Sequence, residues 1–357
     1  MKKQFARGLA FLMIACLLSA CGASPAGTSP EAPATQAETP SAADTTAPET
    51  ASAEESTAAP ETAPREKDGY AYAETKNDGS GLPVAPPDEN TWVWVELMGV
   101  EMLWNGRRVQ EPDTVLDIDN MSCADFGDDL FTGEWPVEVE TYTLCKDEIM
   151  ETEVVHIKGA EEGKTVYVVA GVHGDERAAW YAGRLLRNIS IKAGELYVLA
   201  PANAAGAKAL SRYVKGAQDM NRSFPGDPEG TEAERIANAI YTDIERVKPF
   251  MVFDLHEAII YTAERDFLGS TLIFSILDGI EDMFFDMLFA TEAGTLASNK
   301  FGYSGPGPVG SINFTVADKL KIPAITVETY RGFPVERRVH DQLDIVQYAL
   351  RDMGLID

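Results

Sequence analysis

Cations, histidine and cysteine are all scarce in this chain of 357 residues, in which 30 Lys and Arg face 57 Asp and Glu for a formal net charge of −27. Phosphate affinity rests on clustered Lys and Arg that release counterions, so a general nucleic-acid binder is excluded. An anionic ligand would have to be held by particular local cations. The apolar run Gly8 to Ala20 is too short to cross a bilayer as a helix. Residues 22–64 contain no Leu, Ile, Val, Met or aromatic residue, so nothing there can offset the entropy of ordering. The chain as a whole is nevertheless 45% hydrophobic and 24% charged, enough to bury a sizeable core.

Lys2, Lys3 and Arg7 before the short apolar run make residues 1–20 a signal peptide. It ends in Leu18-Ser19-Ala20-Cys21, which resembles the bacterial lipobox. The resemblance implies a lipid on Cys21 and a protein anchored to the membrane of the bacterial cell envelope, outside the cytoplasm. An ordinary secretory signal is the alternative, and it leaves an odd thiol in an oxidising compartment. Residues 21–66 are expected to be a disordered Ala/Thr/Pro/Glu linker. Of the cysteines, Cys123 and Cys145 then remain in the folded part, where a disulfide between them is expected, with two buried thiols as the alternative.

Residues 67–135 suggest a small β-rich accessory segment, with a strand near Trp94 and a turn at Asn105-Gly106. The cluster Asp117, Asp119, Asp125, Asp128 and Asp129 lacks the spacing of a calcium loop and reads as a solvated loop. From residue 136 to 357, short β-branched runs alternate with helical patterns. Strands are expected at 166–172, 195–199, 250–255, 272–276 and 324–327. Thr231 and Glu234 form a capping box before Ile236, Ile240, Ile244 and Val247, and Val339, Leu343, Val346 and Leu350 share one face of a closing helix. The predicted fold is a three-layer α/β/α domain with a mixed, largely parallel sheet.

Open α/β sheets build their sites just beyond the strands. There the chain has His173 with Glu176 three residues on, and His256 after a second apolar run. One strand-end histidine is usually structural; two with a glutamate form a His, Glu, His set that can hold zinc and leave a place for water. His156 and His340 have no such context and read as non-catalytic. Asn221 and Arg222 on a Pro/Gly loop can clamp a carboxylate, the alternative being a helix-end salt bridge. Glu328 ends an apolar strand, and a buried carboxylate there needs a metal or an arginine as partner.

These segments resemble, in order, the motifs of the zinc carboxypeptidase superfamily, most closely its succinylglutamate desuccinylase and aspartoacylase branch. The matching pieces are Gly171-Val172-His173-Gly174-Asp175-Glu176, Asp219-Met220-Asn221-Arg222 with Phe224-Pro225-Gly226, Asp254-Leu255-His256-Glu257, and Val327-Glu328-Thr329. The resemblance implies one Zn2+ per chain on His173, Glu176 and His256, with Glu328 as general base. It also implies Asp219 orienting a zinc histidine, Asn221 and Arg222 holding a substrate carboxylate, and Arg212 polarising the scissile carbonyl. The peptidase branch usually has Arg before the zinc Glu, where Asp175 stands here, in agreement with the deacylase branch. Tyr303 and Tyr330 are candidates for a tyrosine that caps the substrate. The expected activity is deacylation of an N-acyl amino acid or another small substrate with a free carboxylate. A metallocarboxypeptidase for peptides or peptidoglycan stems is the alternative, and a binding lipoprotein without turnover the second.

Overall fold

Near-continuous apolar runs along the central strands give both faces of one sheet a hydrophobic lining. In this computed structural model the described residues are 65–357, except 68–69, 78–82, 89–90, 98–99, 107–108, 111–114, 215–217 and 259–268. The signal peptide, Cys21 and all but the last two linker residues lie outside the described residues. The accessory segment forms a two-stranded antiparallel ribbon, β1 (Glu66–Lys67) with β2 (Tyr70–Ala71), and a three-stranded antiparallel sheet. The latter joins β3 (Val93–Leu97), β4 (Val100–Trp104) and β5 (Val109–Gln110), with the expected turn after Trp104.

The main sheet contains β6 (Val137–Leu144), β7 (Thr152–Gly159), β8 (Glu161–Ala170), β9 (Ala193–Leu199), β10 (Met251–Ala258), β11 (Thr271–Phe274), β12 (Gly302–Ser304) and β13 (Ala324–Tyr330). Their order is β12-β11-β13-β10-β8-β9-β7-β6. β13, β10, β8 and β9 run parallel side by side, while β7 and β6 continue antiparallel on one flank. On the other flank β11 is antiparallel to β13 and parallel to β12. The helices are α1 (Arg177–Leu186), α2 (Ala204–Ala209), α3 (Glu232–Val247), α4 (Glu281–Glu292), α5 (Ile312–Thr315) and α6 (Val335–Asp352).

Val168, Phe253, Leu255, Ile325 and Val327 of one sheet face pack with Ala182 and Leu185 of α1 and with Val339, Leu343, Val346 and Leu350 of α6. The other face presents Tyr167, Val169, Val252 and Ala324 to Ile236, Ile240 and Ile244 of α3. The expected α/β/α sandwich follows from this two-sided burial, each large apolar side chain contributing roughly 1.5–3 kcal/mol. α3 begins in the expected capping box, Thr231 Oγ1 accepting from Glu234 N at 3.3 Å and Glu234 Oε2 accepting from Thr231 N at 2.9 Å.

The expected disulfide does not form. Cys123 packs in the cluster under α1 and α6, whereas Cys145 packs against the cluster on the opposite face of the sheet. Both are free thiols; bridging would need their Cα atoms within about 7 Å. Burial pushes the Cys123 thiol up to about 12 and raises that of Cys145, so neither is a reactive thiolate. In the acidic loop, Asp125 closes a capping box with Ser122, Asp117 accepts from Asn120 Nδ2 at 2.8 Å, and Asp119 pairs with Arg184.

Candidate metal centre

The parallel strands end on one side of the sheet, and there the chain turns at Gly171, whose φ of +76° and tight fit against Trp180 suit glycine alone. His173 follows. A Cβ at Gly174 would stand 2.1 Å from the carbonyl carbon of Gly206, so glycine lets α2 close on this loop. Glu176 is the N-cap residue of α1, yet its side chain makes no capping bond, because it turns into the site. His256 and Glu328 are register partners on β10 and β13. Both strands run on past them to Ala258 and Tyr330, so these residues sit inside strands and not at their ends.

Glu176 lies at the centre. Its Oε1 is 2.7 Å from His173 Nδ1 and 3.1 Å from an Arg212 amino group, and its Oε2 is 2.8 Å from His256 Nδ1. The backbone N–H of Glu257 donates to Oε2 at 3.0 Å. The outer nitrogens face carboxylates as well: His173 Nε2 is 2.9 Å from Asp219 Oδ1, and His256 Nε2 is 3.0 Å from Asp254 Oδ1. Every nitrogen of these two imidazoles faces a carboxylate; with the Nε2 protons given to Asp219 and Asp254, both Nδ1 lone pairs would turn inward, the form that binds a metal. The three inward donor atoms lie within 4.8 Å of one another and are buried. Two imidazoles with free Nδ1 lone pairs and a carboxylate make a zinc donor set, and here the three residues are close enough to share one ion.

Burial disfavours charge on every group here, and the neighbours decide the outcome. For Glu176 the two imidazoles outweigh burial and hold its carboxyl well below the usual range. His173 and His256 are raised despite burial, by Glu176 together with Asp219 and Asp254. Glu328 goes the other way: burial, supported by the charges of Glu176 and Asp254, pushes it up to about 7 against the pull of the histidines.

A cavity of about 350 Å³ opens over this group, lined by Arg212, Asn221, Arg222, Ile273, Gly307, Pro308, Ser311, Thr326 and Glu328 among others. A larger cavity of about 600 Å³, beside Cys123 and Leu185, contains no histidine, so the smaller one carries the chemistry. The 220–222 turn presents Asn221 and Arg222. Asn221 is nearly buried, its Oδ1 accepting from Ile312 N at 3.3 Å, while Arg222 is exposed and donates to its neighbour's carbonyl at 2.7 Å. Arg212 also reaches Asp219 Oδ2 at 3.3 Å, and Asn203 holds its carbonyl. Tyr330 is fully buried, and the capping role is open only to Tyr303 of the two. Asp254 and Asn203 received no role from sequence reasoning; the signal for Asp254 was its place two residues before His256 on the same strand face.

Residues 162–273 match the succinylglutamate desuccinylase/aspartoacylase catalytic domain. That span holds His173, Glu176, Arg212, Asp219, Asn221, Arg222 and His256, and the match bears out the resemblance drawn from the motifs. Among solved structures, similarity is found to a succinylglutamate desuccinylase from Silicibacter sp. TM1040, with TM-score 0.48 and 17% identity over 63% of this chain and 73% of that one. An aspartoacylase family protein from Mesorhizobium loti gives 0.48 and 19% over 70% and 72%. A metallo-carboxypeptidase from Burkholderia cenocepacia gives 0.45 and 13% over 60% and 64%. Comparison with curated proteins finds no match. The desuccinylase/aspartoacylase domain family is one of hydrolases, and its match ends before Glu328.

Proposed function

We propose that the protein is a zinc-dependent amide hydrolase, an N-acyl amino acid deacylase acting on a substrate with a free carboxylate. The observation that carries this is the convergence of His173 Nδ1, Glu176 and His256 Nδ1, with Glu328 in register beside His256. Zinc, when bound, supplies a Lewis acid and a water whose pKa falls to about 7. Glu328 takes the proton of the attacking water and returns it to the leaving amine. Arg212, held at the cavity by Glu176 and Asp219, donates to the carbonyl oxygen as negative charge develops, a contribution of about 3 kcal/mol for one donor. Arg222 with Asn221 grips the substrate carboxylate.

Location favours a second substrate class. With a lipid on Cys21 and the linker at 21–66, the enzyme would work outside the cytoplasm, anchored to the membrane. Peptides or peptidoglycan stems trimmed from their carboxylate end fit that setting. Hydrolysis of N-acyl amino acids and of short peptides by the zinc-loaded protein, compared side by side, separates the two. Turnover of neither class, with zinc bound, contradicts the hydrolase reading.

A further inference from the structure

Two buried charges on the far side of the sheet are unused by this chemistry. Glu257 follows His256, so its side chain points to the opposite face of β10, among the apolar residues under α1 and α6. There it meets Arg338 of α6, and both side chains are fully buried. A buried ion pair is weak support for a fold, since apolar residues of similar volume often do as well. The position of this one gives it another purpose. Glu257 Oε2 accepts from Ala178 N at 2.9 Å, in the first turn of α1. That turn has an N-cap residue, Glu176, whose carboxylate is committed to the histidines. Glu257 thus replaces the missing cap from another element, while its own backbone N–H holds Glu176 Oε2. One turn along α6, Gln342 donates to the carbonyl of His256 at 2.7 Å and to Thr329 Oγ1 at 3.2 Å.

We infer that Arg338, Glu257 and Gln342 form a clamp from α6 that sets Glu176 and His256 for the metal. They are positioning residues, and the inference rests on the zinc reading above. Arg338 fixes the Glu257 carboxylate; that carboxylate fixes the start of α1 and with it Glu176. Gln342 fixes the stretch of β10 that carries His256. The clamp reaches both ligands through backbone atoms, from the α6 side of the sheet.

The test uses the full-length protein, with zinc affinity measured by chelator competition and the visible spectrum of the cobalt-loaded form. Arg338→Met is expected to weaken zinc binding ten- to a hundredfold, the range usual for groups that orient ligands. Because it leaves a buried anion, it is paired with Glu257→Gln/Arg338→Met, which removes both charges at similar volume and is expected to fold. The double variant is expected to bind zinc at least tenfold more weakly than the parent and to shift the cobalt bands. Leu343→Ala, a core truncation on the same helix, is expected to lower the melting temperature and keep parent zinc affinity. A folded double variant with parent affinity and spectrum overturns the clamp, and so does an equal affinity loss in Leu343→Ala. A parent that binds no zinc overturns the metal reading and the clamp together.

Discussion

Glu328 lines the cavity half-buried, and desolvation pushes its carboxyl up to about 7, which makes Glu328→Gln informative in two independent ways. In the metal-free protein the carboxyl moves from 4.5 to about 7 on folding, which corresponds to roughly 3 kcal/mol against the ionised form, and less where water wets the cavity wall. An acid whose folded pKa is raised keeps a proton that the unfolded chain has released. Stability therefore falls as pH rises from about 4.5 to about 7 and stays lower above that. Glutamine cannot ionise, so the variant escapes this loss. Melting of the metal-free parent and variant from pH 4 to 9 should show the curves separating through that window, with the variant the more stable at its alkaline end. Activity should behave oppositely: zinc stays bound while turnover falls by about 10²–10⁴, the usual worth of a general base. Parallel pH–stability curves would refute the raised Glu328 carboxyl, and near-normal turnover would remove it from the mechanism.

Asp219→Asn and Asp254→Asn each weaken the hold on one ligand histidine, and each should reduce zinc affinity by about 10–100-fold in a chelator titration without unfolding the protein. Gly174→Ala drives a Cβ into the backbone of α2, where no flexible side chain can give way, and should destabilise by more than about 3 kcal/mol in denaturant melts. His340 is raised mainly by its contact with Asp341, with Asp344 and Asp129 adding and burial opposing. Its stabilising effect is full below the unfolded histidine pKa and is lost as pH rises through the folded one. His340→Gln should therefore narrow the difference between melting temperatures at acid and alkaline pH.

The parallel strands and α3 were readable because their residues face two buried layers, so apolar runs are long and caps are explicit. The β6–β7 pair was not, since Val137-Glu138-Val139-Glu140 alternates but lies on a mostly exposed edge strand whose valines bury little. The ligand set was legible because histidines are few and two of them follow apolar runs. Asp254 was not assigned, because a single carboxylate within an apolar strand reveals its purpose only once His256 is seen on the same face. Glu257 and Arg338 are far apart in sequence and meet only through the packing of α6 on β10. The expected Cys123–Cys145 bridge failed for a related reason: cysteine count and compartment say nothing about which face of a sheet each thiol occupies.

The most direct measurement is zinc per chain by elemental analysis, with His256→Ala beside the parent. The account predicts about one zinc in the parent and a large loss in the variant, as expected of an open three-ligand site deprived of one ligand. A parent that takes up no zinc even after incubation with it, or a variant that keeps the full amount, would contradict the metal centre on which the hydrolase reading rests.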